Sequence, residues 1–470
     1  MSILCISCLH FPSGTDRTEF YIIQVPILPS QIQKQIATTT SISNFNFLFV
    51  QWLDWMGTLR TRCIPVQEQN QESQFRFGIS RGNLGTLQND SSTPVCNPIG
   101  QIYVRPDLSS LKPMYHRDLP GRAATLMAGF EEENGRSVDL CPRSLLKQTL
   151  ETMKDELSLD FLVGFEIEIT FCRRAGDDSD IDFRPLDTNH AWSTFTDEQF
   201  TGSFILVTTV VQVLQDIGIS VQQAHSESGA GQYEFVLKPL PPLEAVDTLV
   251  QAKQCIQQLA ASHGLRATCH PQPFPGIGTA CHANISFNTT KNAQDLEKWQ
   301  MSFMAFVCAH LPSICAFTMP QAVSYARVAD DSWTTGSWVA WGTQNRETPL
   351  RRTATPDGKS ARWEVRFLDG TANVYLALYV IMRVGLQGIR EETEMALKDC
   401  QRKSTFRTLM TRSALTTLQT IPPSSMSRGI PNIALHVGCR QRWSKAWRHS
   451  AMMQACRVLL DRMCATITLL

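Results

Sequence analysis

Surplus charge of either sign is missing from this sequence: Lys plus Arg and Asp plus Glu stand at 43 each, for a formal net charge of zero. With no basic excess to meet phosphates or anionic lipid, that balance argues against a nucleic-acid binder and against a membrane-surface protein. Long apolar runs are missing as well. Phe204 to Leu214 is too short and Tyr375 to Leu386 is interrupted by Arg383, so neither reaches the roughly 20 residues of a membrane helix. Met1 to Leu9 is apolar but lacks the basic start of a secretory signal. Cysteine is plentiful, yet its 15 copies are odd in number and scattered, with Cys5/Cys8 the only Cys-x-x-Cys pair. That spread suits neither a disulfide framework nor a zinc knuckle. The expectation is a soluble, cytoplasmic protein with no nucleic-acid and no membrane partner.

What is present is material for a core. Hydrophobic residues make up 43% and charged residues 18% of 470, enough for two or three domains. Residues 1–44 read as a poorly structured leader, rich in Gln, Thr, Ser and Ile towards its end. Residues 45–135 read as a small β-rich unit that opens with FLFVQWLDWMGTLRTRCIPV, where Asp54-Trp55-Met56-Gly57 supplies a turn between two strands. Residues 136–421 alternate helical and strand-like segments, which indicates an α/β or α+β domain. Pro142 opens a helix carrying Leu145, Leu146, Leu150, Met153 and Leu157 at helical spacing. Further helices are expected near 197–216, 242–263, 294–311 and 372–398, and strands at 161–172, 218–225, 231–237, 265–270 and 280–287. Residues 422–470, dense in Arg, Trp, Cys and Met, form a divergent tail.

Four stretches carry chemistry. In FLVGFEIEITFC, Glu166 and Glu168 fall on one face of a strand, and Val163, Phe165, Ile167 and Ile169 on the other. Taken alone, such a pair reads more readily as a solvated face. In HSESGAGQYEF, however, Glu227 and Glu234 flank a glycine-rich turn. Four glutamates beside strands are what a two-cation site of oxygen ligands requires. In PFPGIGTACHANISF, His282 follows the Gly276/Gly278 turn and shares a face with Asn284 and Ser286. A lone histidine is more often a hydrogen-bonded core residue than a ligand, but here its small neighbours leave room. Last come Arg327, Arg346, Arg351, Arg362 and Arg366, with Glu364 between the final two. Guanidinium groups suit bidentate contact with carboxylates and phosphates, and otherwise serve in surface ion pairs of small energy.

The strings GFEIEITF, HSESGAGQYEF, GIGTACHANISF, SYAR, WGTQNRETPLR and ARWEVRFLDGTANVYLAL, in this order and spacing, resemble the glutamine synthetase family over residues 160–390. FLFVQWLDWMGTLRTR and GQIYVRPDLSSL more faintly resemble that family's N-terminal β-grasp domain. The resemblance implies an α+β chain: a β-grasp-like domain, then a glutamine synthetase/guanido-kinase-type catalytic domain with a curved antiparallel sheet. It implies a ligase that uses ATP and two or more Mg2+ or Mn2+ ions, forms γ-glutamyl phosphate from glutamate, and makes an amide with ammonia or another amine. A homo-oligomeric ring is implied too. By the same resemblance Glu168, Glu227 and Glu234 would hold a first metal, and Glu166, His282 and Glu364 a second. Gly278, Arg327, Arg366 and Glu168 would face the substrate glutamate. Arg346, Arg351 and Glu364 would act on the transferring phosphoryl group, with Asn284, Ser286, Arg362 and Arg351 on the nucleotide side.

Two strings depart from the family. Where glutamine-forming enzymes carry a flap glutamate, this chain reads VADDSWTTGSW, with Asp330, Asp331 and Trp333 but no glutamate. An aspartate that approaches ammonium has no clear counterpart near FRFGISRGN. Both departures bear on the amine, and leave open a γ-glutamylpolyamine or other γ-glutamylamide synthetase, or a non-catalytic assembly or signalling protein of the same fold.

Overall fold

The computed structural model describes residues 41–400 apart from 67–74, 88, 92–98, 115–118, 175–182, 189–190, 292, 329–333 and 355–360. The expected leader up to residue 40, the segment with Asp330, Asp331 and Trp333, and all residues after 400, the expected tail 422–470 included, lie outside the described residues.

The chain enters a core at Ile42 and Phe45, both buried. β1 (Phe47–Leu53) and β2 (Leu59–Pro65) form a hairpin. Its turn sits at Asp54–Gly57 as expected: Asp54 Oδ1 accepts from the amides of Met56 at 3.0 Å and Thr58 at 2.9 Å, and Gly57 takes φ +78°, a conformation glycine adopts without strain. β3 (Phe77–Ser80), β4 (Gln101–Pro106), β5 (Lys112–Met114) and β6 (Ala123–Glu131) complete a six-stranded sheet of order β2-β1-β6-β4-β3, with β5 also on β6. β1 and β6 run parallel and the other pairs antiparallel. Leu48, Val50, Ile102, Val104, Ala124 and Leu126 form its core.

Next comes α1 (Pro142–Leu157), with proline in its first turn and Ser158 closing it at φ 55°. The chain then turns into β7 (Leu159–Arg174), the spine of a second sheet. The other strands of that sheet are β8 (Phe183–Pro185), β9 (Val221–Ser226), β10 (Gln232–Leu237), β11 (Leu265–Thr268), β12 (Cys281–Thr289), β13 (Trp341–Thr343), β14 (Leu350–Ala354) and β15 (Ala361–Val365). The nine strands follow the order β13-β14-β15-β12-β7-β10-β9, with β8 and β11 also paired to β7. β7 is long enough for one edge to take β12 then β11, and the other β10 then β8. The expectation of a wholly antiparallel sheet needs correction, because β13 runs parallel to β14; the sheet is mixed.

Five longer helices support it: α1, α3 (Ser203–Asp216), α4 (Pro242–Ser262), α5 (Leu296–Ala309) and α8 (Val374–Arg390). Three short ones are α2 (Asp197–Thr201), α6 (Leu311–Thr318) and α7 (Ala322–Arg327). The helix expected over 197–216 is split at Gly202, whose φ −131°, ψ −91° is not helical. The one expected to reach 398 stops at Arg390. Glu391, Glu392 and Glu394 follow it, and negative charge at a helix C-terminus opposes the helix dipole. Val163, Phe165, Ile167, Ile169 and Phe171 of β7 are buried in the core that also holds Leu249 and Ile256 of α4 and Leu378 and Met382 of α8. No single helix among the described residues is long and apolar enough to cross a membrane.

A polar lock joins the two units. Arg143 of α1 donates to both carboxylate oxygens of Asp247 on α4, at 3.0 and 2.7 Å, and to Asp107 after β4 at 2.7 Å. The Tyr375 hydroxyl of α8 donates to the same Asp247. Gln251 of α4 donates to the Ser110 carbonyl at 2.9 Å and to the Thr125 hydroxyl at 3.0 Å. Paired in this way, the Arg143 guanidinium is held well above its ordinary pKa by Asp247 despite its burial.

Candidate active site

Strand register builds the site. On the face of β7 opposite the apolar core, Glu166 lies across from His282 of β12, and Glu168 across from Glu234 of β10. Glu234 in turn lies across from His225 of β9. Further along, Asn284 of β12 faces Glu364 of β15, which faces Arg351 of β14. Side chains at paired positions stand about 5 Å apart at their Cβ atoms, so residues distant in sequence meet on one surface.

Two clusters emerge. In one, Glu166, His282 and Glu364 each offer a ligand atom, all within 4.8 Å of one another. His282 Nδ1 is 3.3 Å from Glu166 and 3.5 Å from Glu364. In the other, His225, Glu227 and Glu234 meet the same criterion of 4.8 Å. His225 Nε2 is 3.2 Å from Glu227 and 3.8 Å from Glu234. Glu168 stands between the clusters, with Oε1 at 3.9 Å from His282 Nδ1. Its Oε2 is already engaged, accepting from the Ala280 amide at 2.8 Å and from Gln232 Nε2 at 3.1 Å.

The electrostatics point to cations. Glu234 is buried and its carboxyl is pushed up to about 10, by burial first and then by Glu166, Glu168, Glu227 and Glu364 around it. Burial also raises Glu168. Glu166, though largely buried, is pulled down to about 2 by its hydrogen bonds with His282 and Asn284 and by His282 and Arg366 nearby. Five crowded carboxylates with two imidazoles repel one another unless positive charge enters. Oxygen-rich donor sets of this kind fit hard divalent ions, with the imidazoles as nitrogen donors. The residues present therefore fit two metal ions.

Arginines flank the clusters on one side. Glu364 is held by Arg366 and, at 2.8 Å, by Arg351. Arg351 also reaches Gln344 at 3.2 Å. Arg327 is buried, and its pKa is lowered by that burial and by Arg366 close by. It packs against Gly278, where a Cβ would come within 3.1 Å of the Arg327 side chain. The Gly278 carbonyl accepts from Gln232 at 2.8 Å. Arg362 is exposed and donates to Asn284 Oδ1 at 3.1 Å, while Asn284 Nδ2 donates to Glu166 at 2.7 Å. A hydrogen-bonded chain thus links the Glu166/His282/Glu364 cluster to the rim. Ser286 follows on the same face of β12, opposite Leu162, and Arg346 is exposed in the turn between β13 and β14.

The conserved-domain pattern described as "Glutamine synthetase, catalytic domain" matches residues 139–424. The chain belongs to the glutamine synthetase family. Among curated relatives, a protein named fluG from Emericella nidulans is 37% identical over 382 residues, which span 79% of this chain and 42% of that protein. The chain thus matches less than half the length of that relative. Glutamine synthetase of Methanococcus maripaludis is 30% identical across 77% of this chain and 83% of its own. A gamma-glutamylpolyamine synthetase of Streptomyces coelicolor is 27% identical across 77% of the chain. A solved structure described as a novel glutamine synthase homolog superimposes with a TM-score of 0.64 at 23% identity, covering 79% of this chain and 90% of that one. It supports the same fold.

Reading the sequence missed two members of this site. His225 lies near the end of β9, two residues before Glu227, a signal hidden in the string HSE. Gln232 holds Glu168 and the Gly278 carbonyl at once, and its position two residues before Glu234 was the available clue.

Proposed function

We propose that this chain is an ATP-dependent carboxylate–amine ligase that phosphorylates the side-chain carboxylate of glutamate and then forms an amide with an amine. The observation that carries this reading is the meeting of two imidazole–carboxylate clusters with Arg327, Arg351 and Arg366 on one sheet face. A carboxylate is a poor acyl donor because its leaving group would be oxide. In the reading, a glutamate oxygen attacks the γ-phosphorus of ATP and ADP departs. The amine nitrogen then attacks the acyl carbon, the C–O bond to phosphate breaks, and a proton leaves the nitrogen. Bound divalent ions would supply charge neutralisation for the phosphates, held by Glu166, His282 and Glu364 in one subsite and by Glu227 and Glu234 with Glu168 in the other. Arg327 and Arg366 grip the substrate carboxylates, and Gly278 permits their close approach. Arg351 and Arg346 meet the charge developing on the phosphoryl oxygens. Arg362, Asn284 and Ser286 face the nucleotide.

A larger amine in place of ammonia is the second reading. It is favoured by the glutamate-free string VADDSWTTGSW and supported by the similarity to a polyamine-ligating relative. The N-terminal sheet we read as β-grasp-like, the assembly as a homo-oligomeric ring and the setting as cytoplasmic, on the family resemblance.

The test is ADP release with glutamate, Mg2+ and a panel of amines. Stimulation by one amine identifies the ligase and its second substrate, and Glu234→Gln abolishes it. If no amine stimulates turnover and Glu234→Gln leaves any basal turnover intact, the chain is a non-catalytic member of the family.

A further inference from the structure

Trp192 stands apart from every role described so far. It is 58% exposed, whereas tryptophan is on average highly buried. Its backbone neighbours are firmly held. The Ser193 amide donates to the Ser226 carbonyl at 2.8 Å, and the Ser226 hydroxyl donates to the Thr194 carbonyl at 3.0 Å. Earlier in the chain, Asp187 accepts from the Gly231 amide at 3.0 Å, the Tyr233 hydroxyl at 2.6 Å and the Ser203 hydroxyl at 2.7 Å. The backbone just after Trp192 is thereby tied to the end of β9, beside His225. There Trp192 Nε1 donates to His225 Nε2 at 3.0 Å, with the rings edge to face at 5.7 Å.

That contact conflicts with a second one. His225 Nε2 also lies 3.2 Å from Glu227 Oε1. An indole N–H only donates and a carboxylate only accepts. One imidazole nitrogen cannot serve both: if it accepts from Trp192 it turns a lone pair towards the carboxylate, and if it carries a proton for Glu227 the indole has no acceptor. A cation placed among His225, Glu227 and Glu234 removes the conflict on the carboxylate side, and it uses the very lone pair that the indole occupies.

We propose that Trp192 caps the His225/Glu227/Glu234 cluster, its indole N–H holding the His225 Nε2 lone pair until an entering divalent cation displaces it. The inference rests on the reading of this cluster as a cation subsite and adds a fourth group, His225, to the residues that resemblance assigned there. Displacement costs little, since an exposed side chain gives up one ordinary hydrogen bond.

The test titrates the purified full chain, free of nucleotide. Mn2+ binding is counted by its electron paramagnetic resonance signal, and tryptophan emission is followed with Mg2+. Wild type is expected to show a saturable emission change, absent from Trp192→Phe, and Trp192→Phe is expected to bind Mn2+ about fivefold more tightly at one subsite, the factor that one net hydrogen bond supplies. His225→Ala is expected to lose the emission change as well. An unaltered emission change in Trp192→Phe, with wild-type Mn2+ affinity, overturns the cap. Failure of wild type to bind Mn2+ at all overturns the cation reading beneath it, and so the two failures are distinguishable.

Discussion

Replacing Glu234 by glutamine tests the electrostatics of the site without any assumption about catalysis. The Glu234 carboxyl, ordinarily near 4.5, is pushed up to about 10 by burial and by four neighbouring carboxylates. Between those two values the folded, metal-free protein holds a proton that the unfolded chain has released. A group raised in this way lends its stability fully below the unfolded pKa and loses it as pH climbs towards the folded one. One whole proton changes stability by about 1.4 kcal/mol per pH unit, so a rise from pH 6 to 8 costs about 2–3 kcal/mol. That is a sizeable part of the roughly 5–15 kcal/mol a domain possesses. Glu166, pulled down to about 2, titrates below this window. Glu234→Gln keeps the shape and abolishes the titration. Urea unfolding in EDTA at pH 6, 7 and 8 should show wild type weakening with pH, and the variant weakening less by one proton's worth. Mg2+ at pH 8 should stabilise wild type more than the variant, in which only the Glu166/His282/Glu364 cluster keeps all its ligands. Identical slopes for the two proteins would refute the argument.

Other outcomes follow from the same geometry. Asp247→Ala leaves the buried Arg143 guanidinium without its bidentate partner and should cost about 3–5 kcal/mol in urea unfolding. Gly231→Ala forces a side chain onto a φ of +66°, with its Cβ 2.6 Å from the Phe171 carbonyl oxygen. It should cost at least about 1–3 kcal/mol, and Mn2+ binding should weaken because the turn separates Glu227 from Glu234. Gln232→Ala frees Glu168 from one of its two anchors and should lower cation affinity about 10–100-fold, as loss of a partner that orients a ligand does; equilibrium dialysis reads it.

Much of this was legible in the residue order. The alternation in FLVGFEIEITFC carries a 16-residue strand with glutamates on one face, and the leucine spacing after Pro142 carries α1, because periodicity reports burial directly. His225 escaped for a different reason. What places it is its pairing opposite Glu234, a relation between two strands that neither strand states alone. The parallel β13–β14 pair was similarly hidden, since three residues of Trp-Gly-Thr hold too little pattern to show direction. The break at Gly202 turned on one residue inside an otherwise continuous apolar helix. Among the arginines, Arg351 and Arg366 are tied to Glu364 while Arg346 is exposed, a distinction set by where β14 begins.

The ladder on which these groups sit has a consequence for how such a chain can change. Neighbouring rungs on β7, β10 and β15 hold every carboxylate except Glu227, and β12 holds His282, so a deletion of one residue within any of them would turn its ligands inward and its apolar residues outward. The connecting segments are freer, apart from the turn that carries Glu227 and the helix that carries Arg327. The helical excursion between β12 and β13 can change its exposed surface while the acidic face keeps its spacing, provided that Arg327 at the end of α7 stays against Gly278.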